Sequence, residues 1–131
     1  MKIIADTNVL LRAIVGDDER QSQAAIAALA EAETVAVSLH ALCELVWVLL
    51  RRYEVSRSDI AAAIRQLLST QNVVLNRPAV EAGLTMLVAG GDFADGVIAF
   101  EGRWLGGETF VSFDQKAVAL LAAGGHSAQL L

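Results

Sequence analysis

Apolar and polar positions fall along this chain in blocks, and the blocks change period in a regular way. A strand-like segment over residues 2–5, apolar after Lys2, stops abruptly at Asp6-Thr7-Asn8. A short continuous run of this kind suits a strand covered on both faces, as in a parallel sheet. Residues 9–15 read as a short helix ended by Gly16, and Asp18, Glu19 and Gln21 as the cap and acidic first turn of an alanine-rich helix reaching about residue 32. Ile26 and Leu29 are its expected core positions. A β-branched strand at 34–37 precedes a helix capped by Ser38, with Leu42, Leu45, Val46 and Leu49 as its apolar face. Ser56 and Asp59 have capping-box spacing, ahead of a stripe at Ile60, Ile64, Leu67 and Leu68. A strand at 72–75, a helix opened by Pro78 and closed by Gly90-Gly91, and a helix from Asp92 to about Leu105 come next. The chain closes with a strand at 109–113, a helix at 115–122 and a terminal strand at 127–131.

Strands alternate with one or two helices throughout, a pattern that implies a parallel sheet with helices on both faces. The expectation is a three-layer α/β/α sandwich with a central, mostly parallel sheet, formed by residues 1–131 as a single domain. At 131 residues and 55% hydrophobic, the chain can bury a substantial core and keep apolar surface for an interface. Its apolar runs fall far short of the ~20 residues of a spanning helix. Asp6 interrupts any apolar leader segment, and the single cysteine, Cys43, suits a reducing cytoplasm. Fifteen acids against ten bases leave a net charge of −5, an awkward balance for a nucleic-acid binder unless local arginines or bound cations outweigh it.

The acids have the more informative placement. Asp6 and Asp114 each follow a predicted strand, and ligands of open α/β sheets gather at the carboxyl ends of strands. Taken singly, each is explained as a helix N-cap. Glu44 is the only charge in residues 41–50, and a carboxylate in so apolar a helix is costly unless paired or coordinating a cation. An exposed position or an ion pair with Arg51 is the alternative explanation. Asp92 and Asp95 are three apart at a helix start, so they share a side of it, and Gly96 beside them implies a close approach to the backbone. Asp6, Glu44, Asp95 and Asp114 brought to one sheet edge would repel one another and raise their own pKa values. A hard divalent cation, Mg²⁺ or Mn²⁺, relieves that conflict. The corresponding chemistry is metal-assisted phosphodiester hydrolysis.

Ile3-Ile4-Ala5-Asp6-Thr7-Asn8-Val9-Leu10, Glu44 within its apolar helix, Asp92-Phe93-Ala94-Asp95-Gly96-Val97-Ile98-Ala99 and Phe110-Val111-Ser112-Phe113-Asp114 occur in the order of a PIN domain. Over essentially its whole length the chain resembles a VapC-type toxin of a bacterial type II toxin–antitoxin system. That resemblance implies an Mg²⁺- or Mn²⁺-dependent endoribonuclease with Asp6, Glu44, Asp95 and Asp114 as catalytic and metal-binding acids. It selects Asp95 over Asp92, which becomes a supporting residue with Thr7, Asn8 and Ser112. Gly96 stands where the family more often has alanine. Arg12 is the basic residue best placed for a phosphate contact.

Expected partners are RNA (transfer RNA or another structured RNA), a second copy of the chain, and a small basic antitoxin, with no membrane. The antitoxin segment is expected along residues 42–49, with an arginine against Glu44, Asp95 or Asp114. Trp47 and the Ile60-Ile64-Leu67-Leu68 stripe are the expected dimer face. His40 and His126 read as isolated, Cys43 as a small packing residue, and Trp47 and Trp104 as core or interface. Two other readings compete: a catalytically silent PIN-like binding module, and a receiver-like phosphotransfer domain. The latter lacks its acid pair beside the first strand.

Overall fold

The computed structural model describes residues 1–131 and contains seven helices and five strands, all strand pairs parallel, in the expected α/β sandwich class. The chain divides into two compact units, Met1–Asn76 and Arg77–Leu131.

The first unit runs β1 (Lys2–Ile4), α1 (Thr7–Ile14), α2 (Glu19–Glu31), β2 (Thr34–Ala36), α3 (Leu39–Arg51), α4 (Arg57–Ser69) and β3 (Val73–Val74). Its sheet has the order β1-β2-β3, with Ile3 opposite Val35 and Val35 opposite Val73. Polar caps set the helix starts. Asp6, Asp18, Ser38 and Ser56 are the N-caps of α1 to α4, each side chain accepting a backbone N–H of the first turn. Its core residues include Leu42, Leu45 and Leu49 of α3, Ile60 and Ile64 of α4, Leu10 of α1 and Val35 of β2, all essentially inaccessible.

The second unit runs α5 (Arg77–Val88), α6 (Phe93–Trp104), β4 (Phe110–Ser112), α7 (Gln115–Ala123) and β5 (Ala128–Leu130), with β4 and β5 paired in parallel. Gly90, in the left-handed region at φ +94, ends α5, and the Gly91 N–H closes the turn on the Met86 carbonyl at 2.8 Å. Phe93 fills the α5–α6 seam where Gly83 leaves room for its ring. Met86, Ala99 and Leu121 form a second small core with Phe110, Leu120 and Ala128 against it.

Several expectations change here. β1 is an edge strand of its sheet, not one covered on both faces, and Ile4 is 86% exposed. In α2 the buried residue is Ala25, while Ile26 is exposed. Ile60 and Ile64 are fully buried core, so of the expected dimer face the half-buried Leu67 and Leu68 and the exposed Trp47 remain at the surface. Leu42, Leu45, Val46 and Leu49 are buried as well, and over residues 42–49 helix α3 exposes Glu44 and Trp47. The physical reason is common to both helices: an amphipathic stripe is satisfied by its own fold first. No helix is long and apolar enough to cross a membrane.

Candidate active site

In the first unit, the strand-to-helix step at Asp6 is held by the residue after it. The Thr7 N–H donates to Asp6 Oδ1 at 2.8 Å, which fixes one carboxylate oxygen at the start of α1. The Thr7 hydroxyl lies 3.4 Å from both Glu44 Oε2 and the Ala41 carbonyl, and its single proton serves one of them at a time. Glu44 is not buried. It sits on the side of α3 away from Leu42, Leu45 and Leu49, its side chain is 54% exposed, and its Oε1 lies 2.6 Å from His40 Nε2 one turn earlier. His40, which the sequence left isolated, is therefore the partner of Glu44; the i,i+4 spacing on a helix was the available signal.

In the second unit, Asp92, Asp95 and Asp114 form an acidic group. Asp92 caps α6, its Oδ1 accepting the Ala94 N–H at 3.2 Å. Asp114 follows β4 and caps α7, its Oδ1 accepting the Ala117 N–H at 3.1 Å. The Ser112 hydroxyl oxygen accepts the Asp114 N–H at 3.0 Å and so sets the turn that presents this acid. Asp95 is half-buried on the first turn of α6. Its pKa is raised by that burial, then by the charges of Asp92 and Asp114. Capping and site chemistry are compatible at Asp92 and Asp114, because each cap hydrogen bond occupies one carboxylate oxygen of two.

Arg12 projects from the last turn of α1, and its Nη1 donates to Asp17 Oδ1 at 2.8 Å, while the Tyr53 hydroxyl donates to Asp17 Oδ2 at 3.1 Å. Hydrogen bonding to Asp17 raises the Arg12 pKa. Partial desolvation pushes the Asp17 carboxyl up, but the bonds from Arg12 and Tyr53 outweigh it and hold the group below its ordinary value. A guanidinium committed in this way is a weaker phosphate anchor than a free one. Asn8, one residue past Thr7, is exposed.

The donor types of each unit suit a hard divalent cation: carboxylates at Asp6 and Glu44 with the Thr7 hydroxyl in the first unit, and carboxylates at Asp92, Asp95 and Asp114 with the Ser112 hydroxyl in the second, where the unfavourable charge at Asp95 is the kind a cation neutralises. No three His, Cys, Asp or Glu side chains stand grouped closely enough to hold a metal ion.

The chain belongs to the PIN domain family, whose pattern matches residues 3–120 and thus includes all four predicted acids. No curated protein and no solved structure matches it. PIN domains are generally nucleases and usually bind divalent metals.

Proposed function

We propose that this chain is a metal-dependent endoribonuclease, the toxin of a VapC-type toxin–antitoxin pair, with Asp6, Glu44, Asp95 and Asp114 as its reactive acids. The observation that carries the reading is Asp95, a half-buried acid kept from easy ionisation by burial and by Asp92 and Asp114 in a PIN domain. Capping accounts for Asp92 and Asp114, but it does not account for Asp95, a third acid placed where burial and those two charges oppose its ionisation. The four acids would hold Mg²⁺ or Mn²⁺, which supplies charge neutralisation at the phosphodiester and activation of water near neutral pH. The protein's own share is orientation. The Thr7 N–H fixes Asp6, the Ser112 hydroxyl fixes the turn at Asp114, and Thr7 with His40 holds the Glu44 carboxylate.

The partners follow from charge and exposure. Acid groups on a chain of net charge −5 favour a basic inhibitory polypeptide, whose arginine would pair with Glu44, Asp95 or Asp114. A homodimer is proposed through Trp104 and Leu105 at the end of α6, which are 79% and 89% exposed, because Ile60 and Ile64 of the α4 stripe are buried. The test is incubation of the purified, partner-free chain with total bacterial RNA in Mg²⁺ or in EDTA, with the cut ends mapped. Defined ends that require the metal are the expected result. RNA bound without any cut would make the chain a silent binding module.

A further inference from the structure

Between α1 and α2 runs an open groove of about 510 Å³, lined by Asn8, Val9 and Arg12 on one side and Gln21, Ala24 and Ala28 on the other. Its volume lies in the ordinary range for ligand sites, about 300–1,000 Å³. Asn8 and Arg12 are one helical turn apart, so the groove starts two residues from Asp6 and leads away from it along α1. No carboxylate lines it, so an arginine-bearing peptide finds no counter-charge there. The two carboxamides, at Asn8 and Gln21, each donate and accept, as the edge of a nucleobase does. The alanines keep the α2 side low, so that a flat group can lie down in the groove.

Arg12 determines what kind of group that is. Asp17 takes its Nη1, and Tyr53 holds Asp17 from the other oxygen, so the guanidinium is locked in orientation and its charge is largely matched. Pairing weakens it towards phosphate but leaves its planar face intact. Guanidinium planes are platforms on which unstacked bases of single-stranded RNA lie.

We infer that this groove is a nucleotide subsite, taking one unpaired RNA base over the Arg12 guanidinium with Gln21 at the base edge, next to the phosphodiester served by Asp6. The inference rests on the ribonuclease reading and adds to it the place where sequence preference arises.

Three variants test it: Ala24→Leu fills the groove from an exposed helical position, Arg12→Lys keeps charge but loses the plane, and Gln21→Ala removes the edge contact. Binding of a labelled, random-sequence single-stranded RNA is measured by fluorescence anisotropy in EDTA, and cut-site base frequencies are measured in Mn²⁺. Ala24→Leu and Arg12→Lys weaken binding about tenfold, the scale of one stacked base. Gln21→Ala flattens the base preference at one position beside the cut. Melting curves check that each variant is folded, and Ala24→Leu and Gln21→Ala carry the test if Arg12→Lys disturbs the Asp17 clasp. If the wild type cleaves RNA while the folded variants keep its affinity and base preference, the subsite is wrong and the nuclease reading stands. If the wild type binds RNA without cutting and the variants lose binding, the subsite stands and the nuclease reading falls. No binding and no cleavage by the wild type overturns both.

Discussion

Gly96 lies against the backbone of Ala82 with no space for a side chain: a Cβ on Gly96 would stand 2.4 Å from the Ala82 carbonyl oxygen. The approach to the backbone implied by this glycine is therefore that of helix α5, and it seats the turn of α6 that carries Asp95. Alanine, common here in the resembling family, is excluded by the packing of this particular pair of helices. Gly96→Ala is expected to cost about 1–3 kcal/mol, as overpacking against rigid backbone does. Gly102→Ala, on the same helix with nothing within 4 Å of its Cβ, should instead stabilise by roughly 0.5–1 kcal/mol. Urea unfolding of both variants measures the contrast, and equal effects would show that the close approach is not maintained in solution.

Asp95 gives a pH signature in metal-free protein. Its folded pKa is raised, first by burial and then by Asp92 and Asp114, so the folded state holds this proton more tightly than the unfolded state. Between the ordinary value of 3.8 and the raised one, stability contributed by the protonated acid is lost as pH rises. Asp95→Asn should remove that slope and leave the metal-free protein more stable at neutral pH. Melting temperatures of the two proteins across pH 3–7 in EDTA check it, and parallel curves would mean that Asp95 titrates normally.

Asp92 starts α6 through its bond to the Ala94 N–H. Asp92→Ser retains a cap and is expected to keep most activity, whereas Asp92→Ala should cost about 1 kcal/mol of stability. Should Asp92→Ser be as inactive as Asp95→Asn, the roles of the two acids are reversed.

Much of the fold was legible because this chain marks its helix starts with caps. Asp18, Ser38, Ser56, Asp92 and Asp114 cap where the residue pattern places a start, Asp6 caps α1 two residues ahead of the expected one, and all five strands lie within the expected segments. The misreadings concern exposure. An apolar run such as Ile3-Ile4 does not distinguish an edge strand from a middle one, because it carries no information about neighbours. At Glu44 the composition of the helix left burial and exposure both open, whereas its position on the side of α3 away from Leu42, Leu45 and Leu49 and its spacing from His40 favour a surface pair. The Ser112 bond to the Asp114 N–H is a local two-residue turn, whereas the Tyr53 bond that completes the clasp at Asp17 spans 36 residues and is encoded by no local spacing.

The dimer proposed through α6 predicts a concentration-dependent mass. A double variant, Trp104→Ser with Leu105→Lys, should shift the protein to monomer in light scattering while its melting temperature changes little, since both residues are exposed. A wild-type protein that is monomeric at micromolar concentrations and above contradicts the proposal.

The account turns on whether acids from both units serve one reaction, and the most direct measurement is RNA cleavage by four single variants. Asp6→Asn, Glu44→Gln, Asp95→Asn and Asp114→Asn are compared with wild type in Mn²⁺ and in EDTA, each first shown to be folded. The expected result is a metal-dependent wild type and a loss of at least about a hundredfold in every variant, the scale of removing one electrostatic contributor to a transition state. Wild-type rates in Asp6→Asn or Asp95→Asn, or cleavage that persists in excess EDTA, would contradict it.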